Sequence, residues 1–257
     1  MKNIFLSLLL FSTLHSSESK YELGLGMGVV TYPSYIGSKS SNEFISPLPY
    51  IRYESGKTKL GRGGLQYKFF DSKDLTLDLS LGGSLPVDSE NAKSREGMND
   101  LDFALEVGPR LNYRFYKDEH HKVSFKLPLR AVISTDIKEY ESQGFLVAPN
   151  LNYRYKQDKF QFKLKTGPIW ADKTYHNYFY GVTPNYATAQ RQAYDAEAGY
   201  NGYRNTISFK YKQDRWNYGA FASHFNIDGT SFEDSPLVET KSALFLGTFI
   251  SYTFYKN

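Results

Sequence analysis

A chain of 257 residues without a Pro- or Ser-rich divider is expected to form a single domain. Its lack of cysteine excludes a disulfide scaffold, a c-type haem site and a thiolate metal site. The net charge of +4, the 23% of charged residues and the mean hydropathy of −0.51 resemble a soluble protein, and no mature stretch approaches the ~20 apolar residues of a membrane helix. That excludes helical spans only, because a transmembrane barrel alternates lipid-facing and lumen-facing residues and averages to a soluble-looking value. The 22 Tyr and 19 Phe against 2 Trp favour pleated, half-buried surfaces and point to β structure.

The chain opens on Met1-Lys2-Asn3, an apolar run over residues 4–14 and then HSSES, the pattern of a secretory signal. Residues 1–19 are read as that signal, cleaved near 17–19, and residues 20–257 as one barrel domain. The alternative for the apolar run is a buried N-terminal helix.

From there period-two alternation recurs in almost every segment. Residues 44–70 hold either one descending strand or three, and ESGKT together with Gly61, Gly63 and Gly64 suggests an extra short hairpin. Residues 75–81 alternate next. In residues 101–115, Leu101, Phe103, Leu105, Val107, Pro109, Leu111, Tyr113 and Phe115 oppose Asp102, Glu106, Arg110 and Arg114. Val123, Phe125, Leu127 and Leu129 oppose Lys122, Lys126 and Arg130, and after an alternating run at 151–155, Phe160, Phe162, Leu164 and Trp170 oppose Lys159, Lys163 and Lys165. RNTISFKYK, residues 204–212, sets Ile207, Phe209 and Tyr211 against Thr206, Ser208 and Lys210. The last strand, ALFLGTFISYTF, carries Leu244, Leu246, Ile250, Tyr252 and Phe254 on one phase.

Many of these runs reach the ~9–11 residues of a tilted membrane-crossing strand, beyond the ~5–6 of soluble strands. The connections fall into two classes. Residues 71–73, 117–121, 157–159 and 213–215 are tight turns, whereas 31–42, 86–100, 136–144, 173–190 and 226–241 are long and polar. Short periplasmic turns alternating with long outer loops define an all-β, antiparallel up-and-down transmembrane barrel of a Gram-negative outer membrane. With the extra hairpin it has twelve strands, the expected count, and without it ten.

The polar phase supplies candidate lumen residues: Lys126, Arg130, Lys163, Lys165, Arg204 and Lys210, with Lys122 beside them and Asp74, Asp78, Asp102 and Glu106 as counter-charges. They either staple a plugged or narrow interior, the favoured reading, or line an ion or small-solute pathway. His120-His121 is read as a turn pair rather than a metal or catalytic site. His224 with Ser223, Asp228 or Ser231 could be drawn as a hydrolase set, yet no G-x-S-x-G occurs and adjacent strand residues point to opposite faces. No catalytic residue, metal, cofactor or nucleic-acid partner is expected, and the oligomeric state is open. Tyr175, Tyr178, Phe179, Tyr180 and Tyr186 suit either an adhesive loop surface or an outer aromatic girdle.

GLGMGVVTYPSYIGS (residues 24–38), PLPYIRY (47–53), GPIWADKTYHNYFYGVTP (167–184), AYDAEAG (193–199) and DSPLV (234–238) follow one another in an order that resembles the MipA/OmpV family, the MltA-interacting outer-membrane proteins. The matching positions are Pro33, Tyr35, Gly37, Ser38, Pro47, Pro49, Gly167, Pro168, Tyr178, Gly181, Tyr194, Gly199, Asp234, Ser235 and Pro236, mostly turn and bulge residues with an expected architectural role. The resemblance implies a barrel without enzymatic activity, either a scaffold joining a lytic transglycosylase to a murein synthase or a surface adhesin or immunogen. A protein contact of ~800 Å² per partner needs more than two- to five-residue turns, so the long outer loops suit the adhesin or immunogen better.

Overall fold

The computed structural model describes residues 19–61, 64–136 and 139–257; apart from Ser19, the expected signal lies outside them. Strands β1 (Lys20–Pro33), β2 (Ser41–Ser55), β3 (Thr58–Gly61), β4 (Gly64–Asp71), β5 (Leu75–Ser84), β6 (Phe103–Lys117) and β7 (His121–Thr135) pair antiparallel, each with the next. β8 (Tyr140–Val147) and β9 (Asn150–Gln157) follow, then β10 (Phe160–Ala171), β11 (Gly199–Gln213), β12 (Trp216–Asn226) and β13 (Ser242–Lys256). The sheet closes on itself where β13 pairs with β1, from Glu22↔Lys256 to Thr31↔Leu246.

β8 and β9 both lie between β7 and β10 and occupy one position in the wall, so the barrel has twelve strands. The break falls at Ala148-Pro149, where proline cannot donate to the ladder. Gly167 on the neighbouring strand admits this kink, since a Cβ there would stand 2.1 Å from the Pro149 carbonyl oxygen.

Alternation places the side chains as the pleat requires. In β11, Ile207, Phe209 and Tyr211 are exposed on the outer face, while Thr206, Ser208 and Lys210 are half-buried on the inner one. Outward Leu25, Ile45, Leu105, Leu111, Leu129, Leu164, Leu246 and Ile250 extend that apolar belt around the barrel. Aromatic pairs border it: Tyr21–Tyr53, Tyr113–Phe115, Trp216–Tyr218 and Trp216–Tyr252 at the short-turn end, and Trp170–Tyr200 at the other.

One feature departs from the sequence reading and another sharpens it. Leu101 does not begin β6; it bridges to Val87 in the preceding loop and is 2% exposed. The hairpin in residues 44–70 exists, but β3 has only four residues and leaves the wall low on that side.

Candidate functional site

The long loops do not stand out into solvent. Loops 34–40, 85–102, 172–198 and 227–241 fold together into the outer mouth and form their own apolar core, with Tyr35, Leu101, Phe179, Tyr180, Ile227, Phe232 and Leu237 among its buried members. Ile36, Tyr175 and Tyr178 pack against this core and also against the buried wall residues, including Val132, Leu146, Ile169 and Phe225, so the plug is seated in the barrel. Phe232, fully buried, stacks on Tyr180 with ring centroids 3.6 Å apart and planes 6° from parallel.

A helix, α1 (Lys173–Tyr180), carries much of this core, its first turn capped by the Asp172 carboxylate, which accepts from the Tyr175 N–H. Tyr175, His176, Phe179 and Tyr180 recur at helical spacing and face the plug. Phe179 and Tyr180 are thus interior residues, and Tyr175, Tyr178 and Tyr186 pack half-buried against them. Main-chain groups in the plug are satisfied by side chains from distant loops. The Tyr35 hydroxyl donates to the Leu237 carbonyl (2.6 Å), Tyr180 to Ile36 (2.9 Å) and Ser235 to Tyr180 (2.7 Å). Arg95, 3% exposed, donates to the Phe179 carbonyl at 3.0 Å, and Arg191 clasps the Ser94, Glu96 and Tyr186 carbonyls.

His176 is fully buried, its Nδ1 2.6 Å from the Glu197 carbonyl and its Nε2 without a partner among the described residues. Burial pushes its pKa below 6.5, outweighing the Glu197 carbonyl, the neighbouring Asn201 side chain and the Asp172 carboxylate, which all favour the charged ring. The opened loop therefore takes up a proton more readily than the packed plug. Well above pH 6.5 neither form is charged; as pH falls through it, the opened loop takes up the proton first and the plug loses stability. Protease cleavage of loop 172–198 is expected to accelerate at pH 5 relative to pH 7.5, and His176→Gln is expected to flatten that dependence.

Below the plug, charged pairs bind neighbouring strands. Arg110 meets Asp78 with two bonds of 2.9 and 3.0 Å, and Arg130 bonds both Glu106 (2.6 Å) and Ser80 (2.9 Å). At the turn end Arg114 pairs with Asp74 at 3.1 Å, whereas Asp102 sits at the outer rim by Tyr178 rather than in the lumen. Lys126, Arg130, Lys163, Lys165, Arg204 and Lys210 all occupy inward positions on β7, β10 and β11.

The inner mouth is a different chamber. A cavity of about 620 Å³ holds nine cations, among them Arg154, Lys156, Lys159, Lys163, Lys210 and Lys212, against Glu22, Glu54 and Asp158. The carboxylates are partly spent on Arg52, Lys59 and Lys212, leaving the β9–β10 side basic.

The remaining sequence candidates are placed as follows. Tyr35, Gly37, Ser38, Tyr178, Gly181, Tyr194 and Ser235 belong to the plug: Gly37 accepts from the Glu239 and Thr240 N–H groups, Tyr194 bridges to Val182, and Gly181 ends α1. Pro33 and Gly199 stand at the strand ends that feed it, Asp234 is exposed beside Ser235, and Pro236 is half-buried. Pro47 and Pro49 lie in β2, and Gly167 and Pro168 in β10. Asp118 accepts from the His121 and His120 N–H groups and from Tyr116, which together hold its pKa down to about 2, so the His pair belongs to a capped turn. Ser223 faces inward onto Thr206 and His224 outward onto Ser242, which separates the drawn hydrolase set. Among the described residues no three His, Cys, Asp or Glu gather as metal ligands. The plug residues Arg95, His176, Arg191 and Phe232 were not legible as a group, and the helix after Asp172 was read as part of a long polar loop.

A closed twelve-stranded barrel with an apolar belt, aromatic borders, short turns at one end and long loops at the other is a transmembrane barrel of the bacterial outer membrane. Residues 25–254 match the profile of the family described as MltA-interacting protein MipA, and the chain belongs to that family. It is 24% identical to outer membrane protein Omp26La of Vibrio anguillarum over 84% of this chain and 81% of that one. It is 23% identical to the MltA-interacting protein of Escherichia coli over 93% and 92%. Among solved structures, an outer-membrane channel of Pseudomonas putida aligns over 91% of this chain and 96% of its own, at a TM-score of 0.45 and 12% identity.

Proposed function

We propose that this chain is a non-catalytic binding barrel whose working face is its periplasmic mouth, where it holds murein-degrading and murein-synthesising enzymes together. The observation that carries this reading is the asymmetry of the two ends: a packed plug outside, and an open basic vestibule of about 620 Å³ inside. A partner presenting an acidic segment could enter that vestibule, so the contact is not limited to the short turns. Clustered cations also raise the encounter rate with an acidic partner. The name of the Escherichia coli relative, MltA-interacting protein, points the same way. The packing of the long loops against one another shifts weight from an outer adhesin surface to the inner mouth.

The test is capture of periplasmic murein enzymes by detergent-solubilised protein, compared with an unrelated barrel. Enrichment is expected, and Lys156→Glu with Lys212→Glu is expected to abolish most of it at low salt. Equal capture by the unrelated barrel would remove the scaffold reading. The competing reading, a passive solute channel, requires large steady conductance steps in planar bilayers; the seated plug leads us to expect their absence in the wild type.

A further inference from the structure

Among the described residues the barrel wall is incomplete on one side. Because β3 is so short, β2 has a described partner on its second edge at Tyr53, Glu54 and Ser55, and β5 is paired with β4 through Thr76, Leu77 and Asp78. Above that sill, among the described residues, 42–52 of β2 and 79–84 of β5 pair with β1 and β6 alone. The outward side chains flanking this gap, Ile45, Ile51 and Leu81, are exposed members of the apolar belt, so the gap lies at the depth of the hydrocarbon.

An open sheet edge facing lipid leaves backbone groups unsatisfied, and β2 is built to reduce that cost. Pro47 and Pro49 occupy alternate positions, so their missing N–H groups fall on one edge of the strand. The unbroken ladder to β1 shows that this is the gap edge. The Ser46 hydroxyl donates to the Pro47 carbonyl at 3.0 Å.

Behind the gap the lumen is apolar. The inward positions of β1 are Gly24, Gly26 and Gly28; a Cβ at either of the first two would come within 2.3 Å of β13 backbone oxygens, and one at Gly28 within 2.6 Å of Leu48. Phe44 and Leu48 of β2 point inward and are still 48% and 41% exposed. The smooth wall leads to a cavity of about 470 Å³ beneath the plug, bordered by Gly83, Ser84 and Leu85 at the corner of the gap and by Phe221, Phe225 and Phe245 across it. This volume is in the ~300–1,000 Å³ range of small-molecule sites.

Two cations, Lys165 and Arg204, line the same cavity. The register pairs Lys165 with Thr206 and Arg204 with Gly167, which makes the two diagonal neighbours on the inner face. Neither makes a hydrogen bond or ion pair with a described residue. Arg204 rests on the Phe225 ring at 4.6 Å, and the nearby Glu106 is engaged by Arg130. A half-buried cation pair whose one carboxylate neighbour in the cavity, Glu106, is already bonded to Arg130 keeps an excess of positive charge at the end of an apolar track, and is complementary to an anionic head on a hydrocarbon chain.

We propose that this chamber binds a long-chain carboxylate that enters sideways from the membrane through the β2–β5 gap, its head between Lys165 and Arg204 and its chain along the glycine-floored wall. The inference is independent of any periplasmic partner. Its test is titration of the folded barrel, in an uncharged maltoside detergent, with dansylated undecanoic acid. A saturable fluorescence rise is expected, displaced by palmitate and not by hexadecanol. Lys165→Gln with Arg204→Gln should weaken binding at least tenfold, Leu48→Asp should slow it at least threefold, and Lys73→Gln, in a turn, should leave it unchanged. No saturable rise in the wild type, equal displacement by hexadecanol, or wild-type affinity in the double variant would overturn the site; an unchanged binding rate in Leu48→Asp would overturn the sideways path. Heat-modifiable gel mobility verifies folding of each variant, and the two single variants carry the same comparison if the double variant fails to fold.

Discussion

Phe232→Ala is expected to open the outer mouth. The ring is fully buried, stacks on Tyr180 and meets the His176 ring edge-on at 4.9 Å, so its removal takes out the centre of a core made only of loops. Truncating a buried Phe costs about 3–5 kcal/mol, and here the loss falls on the plug, because Phe232 contributes nothing to the strand ladders. Barrel closure, read as heat-modifiable mobility, is expected to persist, while protease cleavage of loop 172–198 accelerates and steady conductance steps appear in planar bilayers. A variant that keeps a protease-resistant, non-conducting mouth would show that the loop core does not close the barrel.

The second large effect concerns the wall. Ile207 faces lipid between the Tyr211 and Tyr200 levels of β11, deeper from the Tyr211 border than Phe209, and is paired with Leu164 and Ala222, so Ile207→Arg places a charge inside the apolar belt. The expected cost is about 2–4 kcal/mol, falling towards ~0–1 kcal/mol near the interface. Phe209→Arg should therefore cost less than Ile207→Arg, and Ser208→Arg, which points into the lumen, least of all. Urea titrations of folding into lipid vesicles order the three; a Ser208 variant as damaging as the Ile207 variant would reverse the assigned faces.

The wall was legible because its information is local. Each pleated residue reports its face through the side chain beside it, as in Thr206–Lys212, and turns such as 157–159 are punctuated by polar residues. The extra hairpin was readable from its glycines, and with it the count of twelve. The plug was not, because its contacts join loops far apart in the chain: Tyr35 to Leu237, Arg95 to Phe179, Tyr180 to Phe232. Nothing in the local pattern around Phe232 distinguishes a buried ring from an exposed loop aromatic. Half of the family-pattern positions meet in the plug, which their spacing in the chain could not show. The inner face was misjudged in one respect. Alternation assigns the polar phase to the lumen, yet Phe44, Leu48, Phe221 and Phe245 are apolar on that phase too, and this second apolar face becomes visible only when the low wall at β3 is known.

The seam between β1 and β13 joins the two ends of the chain, and the plug is knotted to that seam from above: Gly37, just past β1, accepts from Glu239 and Thr240, just before β13. A contact of such sequence separation carries a large loop-closure cost, which the β1–β13 ladder offsets by holding the two ends of the chain together. The outer mouth can then be sealed only in a barrel whose first and last strands have already met. Protection of loop 172–198 from protease on the cell surface would therefore mark finished molecules, and a chain arrested before its ends join would be recognisable by an unsealed exterior even when most of its strands are in place.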